Sequence, residues 1–301
     1  MGLARFAVAM VTLVATLPLA ACTVDLAPAP ATPAFRPAVI DHARYPVGLR
    51  ELRLARGDRP LRTVLLYPAA GAPGDPMWTG AVPAAGKFPL VLFSHGMSGS
   101  PERYIPAAAS WTAAGFVVAL PAYPHTGSGV VKFRRKDIVN QPRDAAFVIG
   151  KVRQLGRKRG DPLHGRIDGN HVAAVGHSAG GYTTTGLFNA EHDERLRAGV
   201  VLAGWLAPGA FHGPPATMLF MQGDSDSVVP VAKGRATYDK VPWPKSFVLL
   251  DHNFHAQYML PGRRGYPEMD SIVTDFLRWT LTGDEAAHRR LPASAFPVGS
   301  S

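Results

Sequence analysis

Val172-Ala173-Ala174-Val175-Gly176-His177-Ser178-Ala179-Gly180-Gly181 is the stretch that most narrows the choice of fold. Its first four residues form an apolar run of strand length. The small residues that lead into Thr184, Leu187 and Phe188 read as the start of a helix. Between the two lies Gly-x-Ser-x-Gly, the pattern of the strand–turn–helix corner known as a nucleophile elbow. Such a corner forces its central residue into an unfavourable backbone conformation, so its neighbours must be small. Gly176 and Gly180 meet that demand, and Ser178 would project above the sheet edge. A Gly/Ser turn closing an ordinary buried strand would use the same five residues, so the partners of a reactive serine decide the matter.

At 301 residues and 47% hydrophobic, the chain can bury one large core. No repeat or polar linker divides its middle, which favours one domain. The net charge of +10 is partly local, in Arg134, Arg135 and Lys136 and in Lys151, Arg153, Arg157, Lys158 and Arg159. No nucleic-acid-binding module with interleaved aromatics accompanies them, so no nucleic-acid partner is expected. They read as solvated basic faces that favour anionic substrates or an anionic envelope polymer.

The N-terminus reads as a targeting segment. Residues 1–5 carry one positive charge, and residues 6–19 are apolar but too short to span a bilayer comfortably. Leu19-Ala20-Ala21-Cys22 then resembles the lipobox of bacterial lipoproteins, in which the signal is cut before a cysteine that becomes acylated. Cys22 is the chain's single cysteine, so it forms no intrachain disulfide and suits lipid attachment. The alternative is an ordinary secretory signal cut after Ala29. Both place the mature protein outside the cytoplasm, as a cell-envelope lipoprotein or as a secreted protein. The expected organisation is a signal peptide over 1–21, an Ala/Pro-rich tether over 22–40, a catalytic domain over 41–285 and a peripheral tail over 286–301.

Within that domain, strands are expected at 48–55 (an edge strand), 62–67, 88–93, 116–120, 172–175, 198–203, 217–221 and 246–250, with a loop over 68–86. Helices are expected at 101–114, 142–155, after the elbow, and at 231–240 and 267–281. Ser100 is the candidate N-cap of the first helix, and Pro101 its first residue. Nearly continuous apolar strands alternating with helices imply a mostly parallel sheet covered on both faces. Ligands of such sheets gather at the carboxyl ends of the strands. Each polar cluster of the chain follows a predicted strand.

Serine needs a base within hydrogen-bond reach, and the base needs a carboxylate to orient it. Asp224 and Asp226 are the candidate acids, and His252 and His255 the candidate bases. They follow Ser178 in the order Ser, Asp, His. No further Cys or His cluster completes a metal site with the two histidines, so neither metal nor cofactor is expected. A tetrahedral oxyanion would need two amide donors. One is the N–H of Ala179, after the nucleophile, and the other belongs on the loop after an earlier strand.

Four pieces carry a family resemblance: residues 65–69 (Leu-Leu-Tyr-Pro-Ala), 93–100 (Phe-Ser-His-Gly-Met-Ser-Gly-Ser), 176–181 (Gly-His-Ser-Ala-Gly-Gly) and 226–230 (Asp-Ser-Val-Val-Pro). On these, residues 45–281 resemble the α/β-hydrolase superfamily. The similar members are bacterial enzymes grouped with dienelactone hydrolases, platelet-activating-factor acetylhydrolases and PET-hydrolase/cutinase-like enzymes. The resemblance implies an α/β-hydrolase fold and selects Asp226 as the acid. His255, in His-Ala-Gln-Tyr, becomes the base and the Met97 N–H the second oxyanion donor, while His95 is a loop organiser. Trp205 stands where those enzymes place a cleft aromatic, and Trp205, Tyr123 and Met97 are candidate wall residues. The chain departs from dienelactone hydrolases in lacking a cysteine nucleophile. It departs from PET-hydrolase-like enzymes in having Ala179 instead of Met and no C-terminal disulfide.

The implied function is a serine hydrolase of carboxylic esters, on small-molecule or polymeric substrates, acting as a monomer. The absence of a long insertion favours an open cleft without a large lid and short or accessible acyl groups. The alternatives are an acyltransferase or amidase working on envelope polymers with the same triad, and a non-catalytic envelope binding protein. For the lipobox, metabolic labelling with a fatty-acid probe should mark the wild-type protein and leave Cys22→Ser unmarked. Equal labelling of both would eliminate the anchor.

Overall fold

Leu90 and Leu92 face one side of strand β4 (Phe88–Ser94), Val91 and Phe93 face the other, and all four are buried. Side chains alternate along a strand, so a strand buried at every position must be covered on both faces. The two pairs enter separate cores, one beneath each sheet face. The structure, a computed structural model, describes residues 44–292, which lie within one compact unit. The signal peptide, Cys22, the tether and residues 293–301 lie outside the described residues.

The sheet contains nine strands. In chain order they are β1 (Val47–Arg56), β2 (Arg59–Pro68), β3 (Trp78–Thr79), β4, β5 (Val117–Pro121), β6 (Ile167–His177), β7 (Leu196–Leu202), β8 (Thr217–Gly223) and β9 (Lys245–Leu250). In space they run β3-β1-β2-β5-β4-β6-β7-β8-β9. β1 pairs antiparallel with β2 and β2 antiparallel with β5, while every pair from β5 to β9 is parallel. The helices are α1 (Pro101–Ala113), α2 (Gln141–Leu155), α3 (Ala179–Leu187), α4 (Val231–Asp239), α5 (Tyr266–Thr282) and α6 (Glu285–Arg290). α1 and α5 contribute Trp111, Ile272 and Phe276 to one core, and α2 contributes Ala145, Val148 and Val152 to the other. This is the α/β-hydrolase arrangement, with no large lid among the described residues.

The connection from β4 runs to β5 on one side, and the connection from β6 runs to β7 on the other. A crevice therefore opens between the carboxyl ends of β4 and β6, at a topological switch point. Ser94 pairs with Gly176 at those two ends. The loop beginning at His95 and the elbow at Ser178 thus face each other across the crevice.

The elements match the sequence reading closely, with four differences. β3 is a two-residue strand inside the stretch read as loop; it pairs with β1, which therefore loses its place at the sheet edge. β6 begins at Ile167, five residues before the apolar run. Ser100 precedes α1 in extended conformation but makes no side-chain cap bond, although Pro101 does open the helix. Residues 286–291, read as the beginning of a peripheral tail, pack on α5. The His288 ring stacks on Trp279 at 4.0 Å, Arg290 pairs with Asp275, and Leu291 is buried.

One charge between α1 and α5 works against stability. Asp270 is half-buried and accepts a 2.6 Å hydrogen bond from the Ser110 hydroxyl. Burial pushes this carboxyl up to about 6, and hydrogen bonds from Ser110 and Trp111 offset only part of the effect. A carboxyl raised on folding binds more protons in the native state, so stability falls as the pH rises from about 4 to about 6 and stays reduced above. Asp270→Asn should therefore stabilise the protein by about 1–3 kcal/mol at pH 8 and by almost nothing at pH 4. Urea unfolding at the two pH values measures the difference.

Candidate active site

Ser178 sits between β6 and α3 with φ 57° and ψ −117°, a conformation that costs a non-glycine residue of order 1–3 kcal/mol. Hydrogen bonds hold it there. Its N–H donates to the Leu202 carbonyl at 2.8 Å, and its own carbonyl accepts from Gly181 and Tyr182. The close approach makes both elbow glycines obligatory. A Cβ on Gly180 would collide with the Ser94 carbonyl, and one on Gly176 with the backbone of Gly180. The corner predicted from five residues is present as drawn.

Asp226 and His255 lie on the loops after β8 and β9, neighbouring strands of the sheet. Asp226 Oδ1 accepts the N–H groups of Val228 and Val229, each at 2.9 Å, which leaves Oδ2 for His255 Nδ1 at 2.8 Å. Burial raises the Asp226 pKa, but the His255 hydrogen bond and the two amides outweigh it, so the carboxyl lies below its usual range. The carboxylate can only accept, so Nδ1 carries the His255 proton and Nε2 presents a free lone pair.

The rival residues do other work. Asp224 is exposed and accepts from the Ser225 hydroxyl and the Asn253 N–H, organising the turn. His252 is exposed, with φ 55°.

The loop after β4 approaches the elbow closely. A Cβ on Gly96 would stand 3.3 Å from the Ser178 Cβ. The next amide, on Met97, and the Ala179 amide have no backbone hydrogen-bond partner among the described residues. Two unpaired donors on the facing loops of the crevice are what an oxyanion requires. His95 organises this loop as expected. Its Nδ1–H donates to the Gly96 carbonyl at 2.7 Å and its Nε2 accepts the Tyr123 N–H at 3.3 Å, while burial lowers its pKa to about 4.

Tyr123 must be corrected. It is only 1% exposed, and its hydroxyl pairs with the Ser94 hydroxyl at 2.7 Å. It braces the loop from inside the core and cannot line the cleft. Trp205 is partly exposed after β7, with its ring 5.8 Å from Tyr182 and beneath the Lys233 ammonium at 5.1 Å.

Two residues that sequence reasoning missed connect the site. His177, fully buried beside Ser178, donates from Nε2 to the His255 carbonyl at 2.7 Å. A neutral ring then has only Nδ1 left to accept, so the Tyr104 hydroxyl, 3.0 Å away on α1, donates to it. That hydroxyl in turn receives the Gly96 N–H at 3.4 Å. Burial, reinforced by nearby His255, lowers the His177 pKa to about 3, so the ring stays neutral wherever the fold is stable. One imidazole thus connects the loop of the candidate base to the loop of the candidate oxyanion donor. The one available signal was a bulky, polar His in a corner that otherwise demands small residues.

The sheet topology is that of the α/β-hydrolase fold, with the strained serine and the Asp–His couple at the carboxyl ends of its strands, and comparison with known proteins adds to this. Residues 125–258 match the family described as PET hydrolase-like, and residues 36–149 match platelet-activating factor acetylhydrolase, isoform II. The first match contains Ser178, Asp226 and His255, and the second contains Met97. A platelet-activating factor acetylhydrolase from Cavia porcellus is 24% identical in a match covering 48% of this chain and 41% of the relative. The chain thus spans less than half the length of that curated relative. It has the α/β-hydrolase fold and is similar, over less than half of its length in each match, to families of carboxylic ester hydrolases.

The His177 bridge has a measurable consequence. His177→Phe leaves the His255 carbonyl without its donor and the Tyr104 hydroxyl without its acceptor, and misplacing a catalytic group by about 1 Å costs on the order of 100-fold. The variant should lose about 10- to 100-fold in kcat with a much smaller change in KM. Tyr104→Phe, which keeps the bond to His255, should lose less than tenfold. Steady-state kinetics on folded variants makes the comparison.

Proposed function

We propose that this chain hydrolyses carboxylic esters through a Ser178–His255–Asp226 triad and an acyl-enzyme intermediate. The observation that carries the proposal is the Asp226–His255 hydrogen bond on a loop that is tied to His177, the neighbour of the strained Ser178. Two matched families, one described as PET hydrolase-like and the other as platelet-activating factor acetylhydrolase, support ester chemistry.

His255 Nε2 takes the Ser178 proton as Oγ attacks the acyl carbon. Asp226, held ionised by two amides, stabilises the imidazolium without taking its proton. The Met97 and Ala179 N–H groups receive the oxyanion. His255 returns the proton to the leaving alcohol, and water activated by the same Nε2 releases the acid. The matching resting state has an ionised Asp226, whose carboxyl lies below its usual range. With Trp205 partly exposed after β7 and no large lid among the described residues, short or accessible acyl groups suit the cleft. The lipobox-like Leu19–Cys22 segment supports an extracytoplasmic protein anchored through Cys22.

Turnover of 4-nitrophenyl acetate should fall by at least about 1,000-fold in Ser178→Ala and by several orders of magnitude in His255→Ala. His252→Ala should retain nearly full activity. Full turnover by Ser178→Ala would refute the triad, and loss confined to His252→Ala would move the base. Adding alcohol or amine acceptors to the assay shows whether water or another nucleophile takes the acyl group.

A further inference from the structure

Val130-Val131-Lys132-Phe133-Arg134-Arg135-Lys136 combines exposed apolar tips with cations that make no ion pair among the described residues. Residues 131–136 are all exposed, Val131 at 98% and Phe133 at 48%. Four of the five residues 132–136 are cationic, and none of these four makes an ion pair among the described residues. The nearest acid, Asp137, is already committed to Arg59 through two hydrogen bonds. A segment that only needs to be soluble has no use for a fully exposed valine and an exposed phenylalanine between cations. At a lipid–water boundary, by contrast, the apolar tips enter the acyl region while the cations meet anionic head groups.

The position of the segment adds to the argument. It continues from residues 126–128, which are hydrogen-bonded to the oxyanion-side loop: the Ser98 N–H donates to the Thr126 carbonyl and the Ser128 N–H to the Gly99 carbonyl. The segment is therefore tied to one wall of the crevice. Three loops at the same end of the sheet add exposed apolar side chains, Leu206 after β7, Val228 after β8 and Phe254 after β9. No helix among the described residues is long and apolar enough to cross a membrane, so the contact would be peripheral.

We propose that residues 130–136 form a docking element for an anionic lipid surface, which turns the mouth of the crevice toward that surface. The charge complementarity selects anionic over zwitterionic lipid. The apolar tips select a lipid boundary over a nucleic acid or an acidic polysaccharide, which would use the cations alone. The inference concerns the surface and stands whether or not Ser178 is the nucleophile.

The test is co-sedimentation of the full chain with vesicles of phosphatidylcholine alone or mixed with phosphatidylglycerol. The apolar N-terminal segment is common to all samples, so the readout is the difference between compositions and between variants. Each cation beside an anionic surface strengthens partition roughly fivefold. Neutralising all four (Lys132→Gln, Arg134→Gln, Arg135→Gln, Lys136→Gln) should weaken binding to phosphatidylglycerol vesicles by about 100-fold or more. It should barely change binding to phosphatidylcholine. Val131→Ser with Phe133→Ser should weaken binding to both, and wild-type binding to the anionic vesicles should fall as salt rises. Unchanged thermal melts show that the variants are folded. Equal partition of wild type and the four-charge variant would overturn the proposal. So would binding to heparin or DNA that depends on the four cations without any preference for anionic vesicles.

Discussion

The backbone of Ser178 is the constraint on which the site depends. A positive φ at a serine persists only where its surroundings leave no alternative. Here the surroundings are the carboxyl ends of three adjacent parallel strands. β7 receives the Ser178 N–H, β4 presses its Ser94 carbonyl against Gly180, and β6 supplies the residue itself. Relaxing the corner would require those ends to separate, and buried side chains on both sheet faces oppose that. The strain is held by the sheet, and positive φ recurs beside it at Ala203, just after β7, and at Ser98 on the facing loop.

The same tight corner explains what the sequence made legible. Steric demands leave glycines, so the elbow, the strands around it and the order of the candidate triad could all be read before any coordinates. Parallel strands buried on both faces show themselves as apolar runs, which is why most elements fall within a few residues of their expected positions. Asp226 could be preferred over Asp224, and His255 over His252, only through a family resemblance. In both pairs the residues are close neighbours with the same side chain, and only the bend of the loop decides which one faces the crevice.

What stayed hidden had physical reasons as well. Tyr123 follows a strand just as a cleft aromatic would; the rotation that sends its ring inward to Ser94 leaves no trace in composition. His177 was overlooked because its partners are a hydroxyl 73 residues earlier and a backbone carbonyl 78 residues later. A carbonyl has no side-chain identity to read. The two-residue strand β3 is too short for any periodicity, and Ser100 has the extended backbone usual at an N-cap but makes no side-chain cap bond.

The position of β9 has a consequence for how the molecule fails. β9 is the last strand of the sheet and is paired only with β8, yet the loop beyond it carries His255. Edge strands fray by local openings that need far less free energy than unfolding the whole domain. Amide exchange should therefore be faster along Lys245–Leu250 than along β4 or β6, and each such opening swings the imidazole away from a serine whose own strand remains closed. On warming, the working lifetime of the site is then set by the margin of the sheet, while its centre is still intact.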